Sequence, residues 1–156
     1  LDQIVQGLKF RRLDYLGPQI GAVLLDRFRP QLGGLDGVVP MPLGPWRRWR
    51  RGFNQAERIA RPLARGLGLP LARPLARRDR RRQLGLTREE RLGNLRTAFR
   101  VRHAIAGQRV LLVDDVATTG ATLQAAAAAL REAGASEIIA LVAARVRGSR
   151  FFAGQE

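Results

Sequence analysis

The segment that most constrains the fold is Val110 to Thr122, which reads V-L-L-V-D-D-V-A-T-T-G-A-T. Val110 to Val113 are apolar without alternation, as expected of a strand buried on both faces in a parallel sheet. The run ends at two acids, Asp114 and Asp115, and an alanine-rich helix follows from about Gly120 to Glu132, stopping at Gly134. Glu137 to Ala144 reads as the next strand. Strand, turn, helix and strand in this order specify an α/β architecture.

The same segment carries chemistry. Open α/β sheets place ligands at the carboxyl ends of their strands, where Asp114 and Asp115 fall. The loop Ala117 to Thr122 then enters a helix, so backbone N–H groups and the positive helix end can surround a phosphate. Gly120 allows close approach of the backbone, and Thr118, Thr119 and Thr122 add hydroxyls. Carboxylates would repel that phosphate, so the acids suit sugar hydroxyls or a positively charged sugar transition state. The combination describes a ribose 5-phosphate site. A Walker B strand would need a G-x-x-x-x-G-K-[ST] partner, and the only lysine, Lys9, is preceded by Leu8. A phospho-acceptor receiver domain needs a downstream lysine that this chain lacks.

Elsewhere, helical spacing predicts helices over Asp2 to Arg11 and Pro18 to Phe28, and Leu35 to Pro40 reads as a buried strand entering the proline-stiffened segment Pro40 to Leu43. Pro45 to Gly52 reads as a basic loop carrying Trp46 and Trp49, which suit either base stacking or ordinary packing. Asn54 suits an N-cap for a helix whose apolar stripe runs through Ala56, Ile59, Ala60, Leu63 and Leu67, with a kink or break expected at Pro62. Thr87 and Glu90 form a capping-box pattern for a helix to roughly Arg96, and Ala98 to Val101 reads as a strand. The expected organisation is one domain over residues 1–147, with N-terminal helices over 1–30 and an α/β core over 36–144. Residues 148–156 read as a flexible tail.

Composition excludes other chemistries. The absence of cysteine and the single His103 remove disulfides, thiol nucleophiles and Cys/His metal centres, so any metal needs oxygen ligands. The apolar runs are too short to span a membrane, and no secretory signal is visible, so a cytoplasmic location without membrane insertion is expected. The net charge of +15 points to an anionic ligand such as nucleic acid or a phosphorylated molecule. Its near-exclusive supply by arginine fits GC-rich codon usage equally well.

D-D-V-A-T-T-G-A-T resembles the signature of type I phosphoribosyltransferases, which bind phosphoribosyl pyrophosphate (PRPP). V-V-P-M-P-L (Val38 to Leu43), R-G-F-N-Q-A-E (Arg51 to Glu57) and E-R-L-G-N-L-R-T-A-F (Glu90 to Phe99) resemble the ComF family of that superfamily. The resemblance implies a Rossmann-like, mainly parallel sheet flanked by helices, Mg²⁺ carried by PRPP, and a link to DNA uptake in natural transformation. It suggests phosphoribosyl transfer from PRPP and competence-machinery partners; the alternative is a nonenzymatic PRPP-sensing or single-stranded-DNA-binding competence factor, motivated by the +15 charge and the arginines around Trp46 and Trp49. It assigns Asp114 and Asp115 to the ribose hydroxyls and catalysis, Ala117, Thr118, Thr119, Gly120, Ala121 and Thr122 to the 5-phosphate, and Pro40, Met41, Pro42 and Leu43 to pyrophosphate. Arg77 to Asn94 resembles a loop that closes over PRPP, with Arg78, Gln83, Arg91 and Asn94 as contacts. Arg51, Gly52 and Asn54 serve either a ligand or a loop and helix cap. Arg80 and Arg12 depart from the family pattern, and the four-cysteine zinc segment of many members has no counterpart among these residues, so zinc does not carry over. No protein-supplied metal site and no general base are legible; His103 reads as structural or solvated.

Overall fold

A computed structural model describes residues 16–77 and 97–146. The elements are α1 (Leu16–Phe28), a single 3-10 turn (Arg29–Gln31), β1 (Gly37–Pro40), α2 (Pro45–Arg51), α3 (Gln55–Leu67), β2 (Leu75–Arg77), β3 (Phe99–Val101), β4 (Arg109–Ala117), α4 (Ala121–Glu132) and β5 (Glu137–Arg145). The helices expected at Asp2 to Arg11 and from Thr87, and the tail after Gly148, lie outside the described residues.

The sheet is parallel, with the order β1-β4-β5, and β2 and β3 form a separate antiparallel ribbon. β4 occupies the centre, and Val110 to Val113 are completely buried. Their side chains divide by strand alternation. Val110 and Leu112 join a core with Leu75, Phe99, Leu123 and Leu130, whereas Leu111 and Val113 join a second with Val38, Ile59, Leu63 and Leu141. The sheet therefore lies between two apolar layers, with α4 and the ribbon on one side and α1 and α3 on the other. This double burial is why the β4 sequence is apolar throughout rather than alternating.

Pro40 ends β1 without costing a sheet hydrogen bond. Val38, two residues earlier, directs its N–H to Pro70 O on the outer side at 3.0 Å, and Pro40 shares that orientation, where its missing N–H leaves the β4 ladder intact. Met41 resumes the ladder by donating to Val113 O at 2.8 Å.

Three local expectations need correction. Pro45 to Arg51 is a helix, not a loop: proline at its start is pre-set for helical φ, and Gly52, at φ 76°, closes the far end by donating to Arg48 O at 2.8 Å. Pro62 does not break α3, which runs continuously from Gln55 to Leu67. The completely buried Ile59, Ala60 and Leu63 anchor the helix on the sheet, and burial of about 1.5–3 kcal/mol for each large side chain offsets a proline cost of about 3 kcal/mol. Finally, β4 extends past Val113 to Ala117, because β5 keeps pairing with it through Ala117↔Arg145 after β1 has ended. Asp114 and Asp115 thus lie within the strand.

Candidate functional site

β1 and β4 are neighbours whose following helices pack on opposite faces of the sheet. Where β1 ends at Pro40 and β4 continues, the two chains diverge and leave a crevice at their carboxyl ends, the switch point at which doubly wound sheets bind ligands. A cleft of about 300 Å³ occupies this place. One wall is Met41, Pro42 and Leu43, continued by Arg51. The floor is Asp114 and Asp115, and the opposite wall is the strand-to-helix turn, contributing Ala117, Thr118, Gly120, Ala121 and Thr122.

The turn is local in origin. Gly120 has φ 79°, a conformation that side-chain-bearing residues avoid, and this reverses the chain into α4 within three residues of the strand. Thr119 does not line the cleft; its Oγ1 accepts the Ala121 N–H at 3.4 Å. Pro40 is likewise outside the wall, buried in β1. The N-cap residue Gly120 has no side chain to cap α4, and Thr119 Oγ1 takes the Ala121 N–H at the first position of the helix.

The acid pair is electrostatically loaded. Asp114 is only 8% exposed, and its Oδ1 accepts the Asp115 N–H at 2.9 Å, while Asp115 Oδ1 accepts the Val116 N–H at 3.0 Å. Burial pushes the Asp114 carboxyl up to about 7, the nearby Asp115 adds to the rise, and the Arg77 guanidinium opposes it. Groups that donate hydrogen bonds to this pair would stabilise the ionised form. His103 is exposed and does not line the cleft.

Two polar cleft residues were not singled out as contacts from the sequence. Arg77 ends β2, lines the cleft and holds its guanidinium 5.6 Å from the Phe99 ring centroid. Its position at the start of the stretch that resembles a PRPP-closing loop was a signal, but only the Arg77↔Phe99 register of the ribbon aims it here. Gln55, buried at the start of α3, is the other. Asn54 also lines the cleft; it occupies the N-cap position but makes no side-chain cap, and its amide donates to Met41 O at 2.9 Å. Arg78, Gln83, Arg91 and Asn94 lie outside the described residues.

The cleft thus sets two carboxylates between the strand-to-helix turn and two arginines, a layout suited to a polyhydroxylated ligand with anionic groups at both ends. Comparison with known proteins gives the family. The phosphoribosyl transferase domain family matches residues 51–152, and the chain belongs to it. Within that family it is a ComF-type, phosphoribosyltransferase-like protein. It is 33% identical to Competence protein F of Haemophilus influenzae over 88% of this chain and 65% of that one. It is also 33% identical to DNA utilization protein YhgH of Escherichia coli K12, over 88% of this chain and 64% of the relative. The chain therefore spans about two thirds of the length of these relatives. The fold matches the purine phosphoribosyltransferase of Pyrococcus horikoshii with a TM-score of 0.54 at 19% identity, covering 84% of this chain and 73% of that one. Among the described residues no helix is long and apolar enough to cross a membrane.

Proposed function

We propose that the cleft binds PRPP and supports transfer of its phosphoribosyl group to a nitrogen nucleophile. The observation that carries this reading is the placement of Asp114 and Asp115 on the floor between the Thr118 to Thr122 turn and the Met41 to Leu43 wall. In this arrangement the 5-phosphate sits on the turn amides and the positive end of α4. The ribose hydroxyls donate to Asp114 and Asp115, which places the anomeric carbon towards the opposite wall. Pyrophosphate then lies near Met41 to Leu43, with Arg51 and Arg77 neutralising its charge. The C1–O bond to pyrophosphate breaks, its electron pair leaving with the pyrophosphate anion, and a C1–N bond forms from the nucleophile's lone pair. The carboxylates stabilise the positive charge that develops on the sugar ring.

The residues present fit magnesium brought by the ligand. Among the described residues no group of three or more acids or histidines could cage a metal, whereas one or two carboxylates beside phosphate oxygens is how magnesium is commonly held. Asp114 and Asp115 would hold it together with the ligand's oxygens, and it would supply charge neutralisation for pyrophosphate.

Calorimetric titration with Mg²⁺ and PRPP tests the reading. Asp114→Asn with Asp115→Asn should abolish measurable affinity in a chain that remains folded by circular dichroism. Retained affinity within twofold would overturn it. Pyrophosphate release in the presence of a panel of amines and nucleobases then separates catalysis from binding alone.

A second reading concerns α2. Trp49 is 86% exposed and Trp46 53% exposed, their rings meet edge to face with centroids 6.3 Å apart, and the Arg50 guanidinium lies 5.9 Å from the Trp46 centroid. Beside them an open depression of about 370 Å³ is lined by Arg48, Arg58 and Arg61 among others. Exposed indoles flanked by arginines suit single-stranded nucleic acid, and relatives are named for competence and DNA utilization. Titration of tryptophan fluorescence with oligothymidylate should show binding that weakens steeply between 50 and 200 mM salt, as counterion release requires. Trp49→Ala should weaken it by about 5- to 160-fold, the range for one lost base stack. Absence of binding at low salt would remove this reading.

A further inference from the structure

We infer that Asn54 is a positioning residue for the pyrophosphate wall of the cleft rather than a helix cap, an inference that rests on the proposed phosphoribosyl reading. Its place in the chain is that of an N-cap: extended backbone at φ −107° and ψ 115°, one residue before α3. An N-cap works through a side-chain oxygen that accepts a helix N–H. Here the side chain makes no such bond. Its amide nitrogen donates instead across the fold to Met41 O at 2.9 Å, a contact over 13 residues of sequence.

The geometry around that contact explains what it holds. Met41 is 4% exposed, and its own N–H is tied to Val113 O at 2.8 Å, so both polar groups of one peptide-bearing residue are clamped, one to β4 and one to the head of α3. Pro42 and Leu43 follow immediately and form the wall. A β1 strand of only four residues ends just before. With strand pairing finished and Pro42 unable to donate a backbone hydrogen bond, the Asn54 amide is the structural link that fixes how the wall leaves the sheet. The same residue stands beside Arg51 and Gln55 in the cleft lining, and Arg51 Nη1 donates to Gln55 Oε1 at 3.5 Å. Asn54 therefore ties the wall to the head of α3, whose Gln55 accepts from the cleft arginine Arg51.

The choice of side chain discriminates between the two roles. Aspartate caps helices as well as asparagine does and adds a favourable charge at the helix start. It has no donor, and its carboxylate would face the Met41 carbonyl. Asn54→Asp, which loses the bond to the Met41 carbonyl, should lower the melting temperature modestly while lowering affinity for inorganic pyrophosphate at least tenfold. Affinity for ribose 5-phosphate, which uses the turn and the acid pair, should stay within twofold. Asn54→Ala, which loses the donor without adding a charge, should show the same ligand split. Equal weakening of both ligands, or retention of pyrophosphate affinity in Asn54→Asp, would overturn the inference. Hydrogen exchange supplies a readout independent of any ligand: the Met41 amide should exchange at least tenfold faster in Asn54→Asp, with the Leu111 and Leu112 amides unchanged, and an unchanged Met41 rate would also overturn it. If the wild-type chain binds neither probe, the phosphoribosyl reading fails, and the exchange rate alone decides whether Asn54 holds the wall.

Discussion

Asp114 sits where a carboxylate is expensive. An unfolded aspartate has an ordinary value of 3.8, and in the folded chain burial, with Asp115 beside it, raises this to about 7. Between about pH 4 and 7 the folded chain keeps a proton that the unfolded chain has released, so stability falls as pH rises through this window. The penalty is absent below about 4 and complete above about 7. Asp114→Asn should remove it, raising the melting temperature at pH 8 by on the order of 2–4 °C for each kcal/mol regained, with little change at pH 4. Thermal melts at the two pH values check this, and a larger gain at pH 4 would contradict it. The acids themselves were legible because they are consecutive with a strand and a glycine turn. The placement of Arg77 and the use of Asn54 were not, since each is defined by a partner far away in the sequence: Phe99 and Asp114 for the first, Met41 for the second.

At the level of elements, the packing of α1 on α3 depends on residues chosen for smallness. A Cβ at Gly21 would collide with the Pro62 ring and the Ile59 carbonyl oxygen, and one at Gly17 with the Arg58 side chain. Alanine is intrinsically better in a helix by about 1 kcal/mol, yet overpacking a tight contact costs about 1–3 kcal/mol, so the collision should prevail. Gly21→Ala is expected to lower the urea midpoint with an unchanged slope; an increase would show that the two helices can separate without cost. This contact also bears on the proline in α3. From the sequence Pro62 reads as a break, because the local cost is visible there and the buried stripe that outweighs it is not. The α2 helix was missed for a related reason: its tryptophans and arginines have no apolar periodicity, and its ends are set by proline and glycine backbone geometry rather than by a buried face.

Over the whole molecule, a net charge of +15 works against compactness by self-repulsion, so anions that neutralise a cationic locus should stabilise the fold. Ribose 5-phosphate at about 100 times its dissociation constant should contribute about 2.7 kcal/mol, or roughly 5–10 °C in melting temperature. Sodium chloride at matched ionic strength should give a smaller rise, and equal shifts would reduce the effect to screening. The sequence by itself determined the α/β class, the buried central strand, the acid pair and the glycine turn into a helix, because these follow from neighbouring residues and one unbroken apolar run. Only the tertiary structure decided that β1 stops while β4 runs on, that Asn54 reaches across to Met41, and that Arg77 enters from the ribbon. Those features come from strand register and from packing on opposite faces of the sheet, which bring together residues that no local pattern connects.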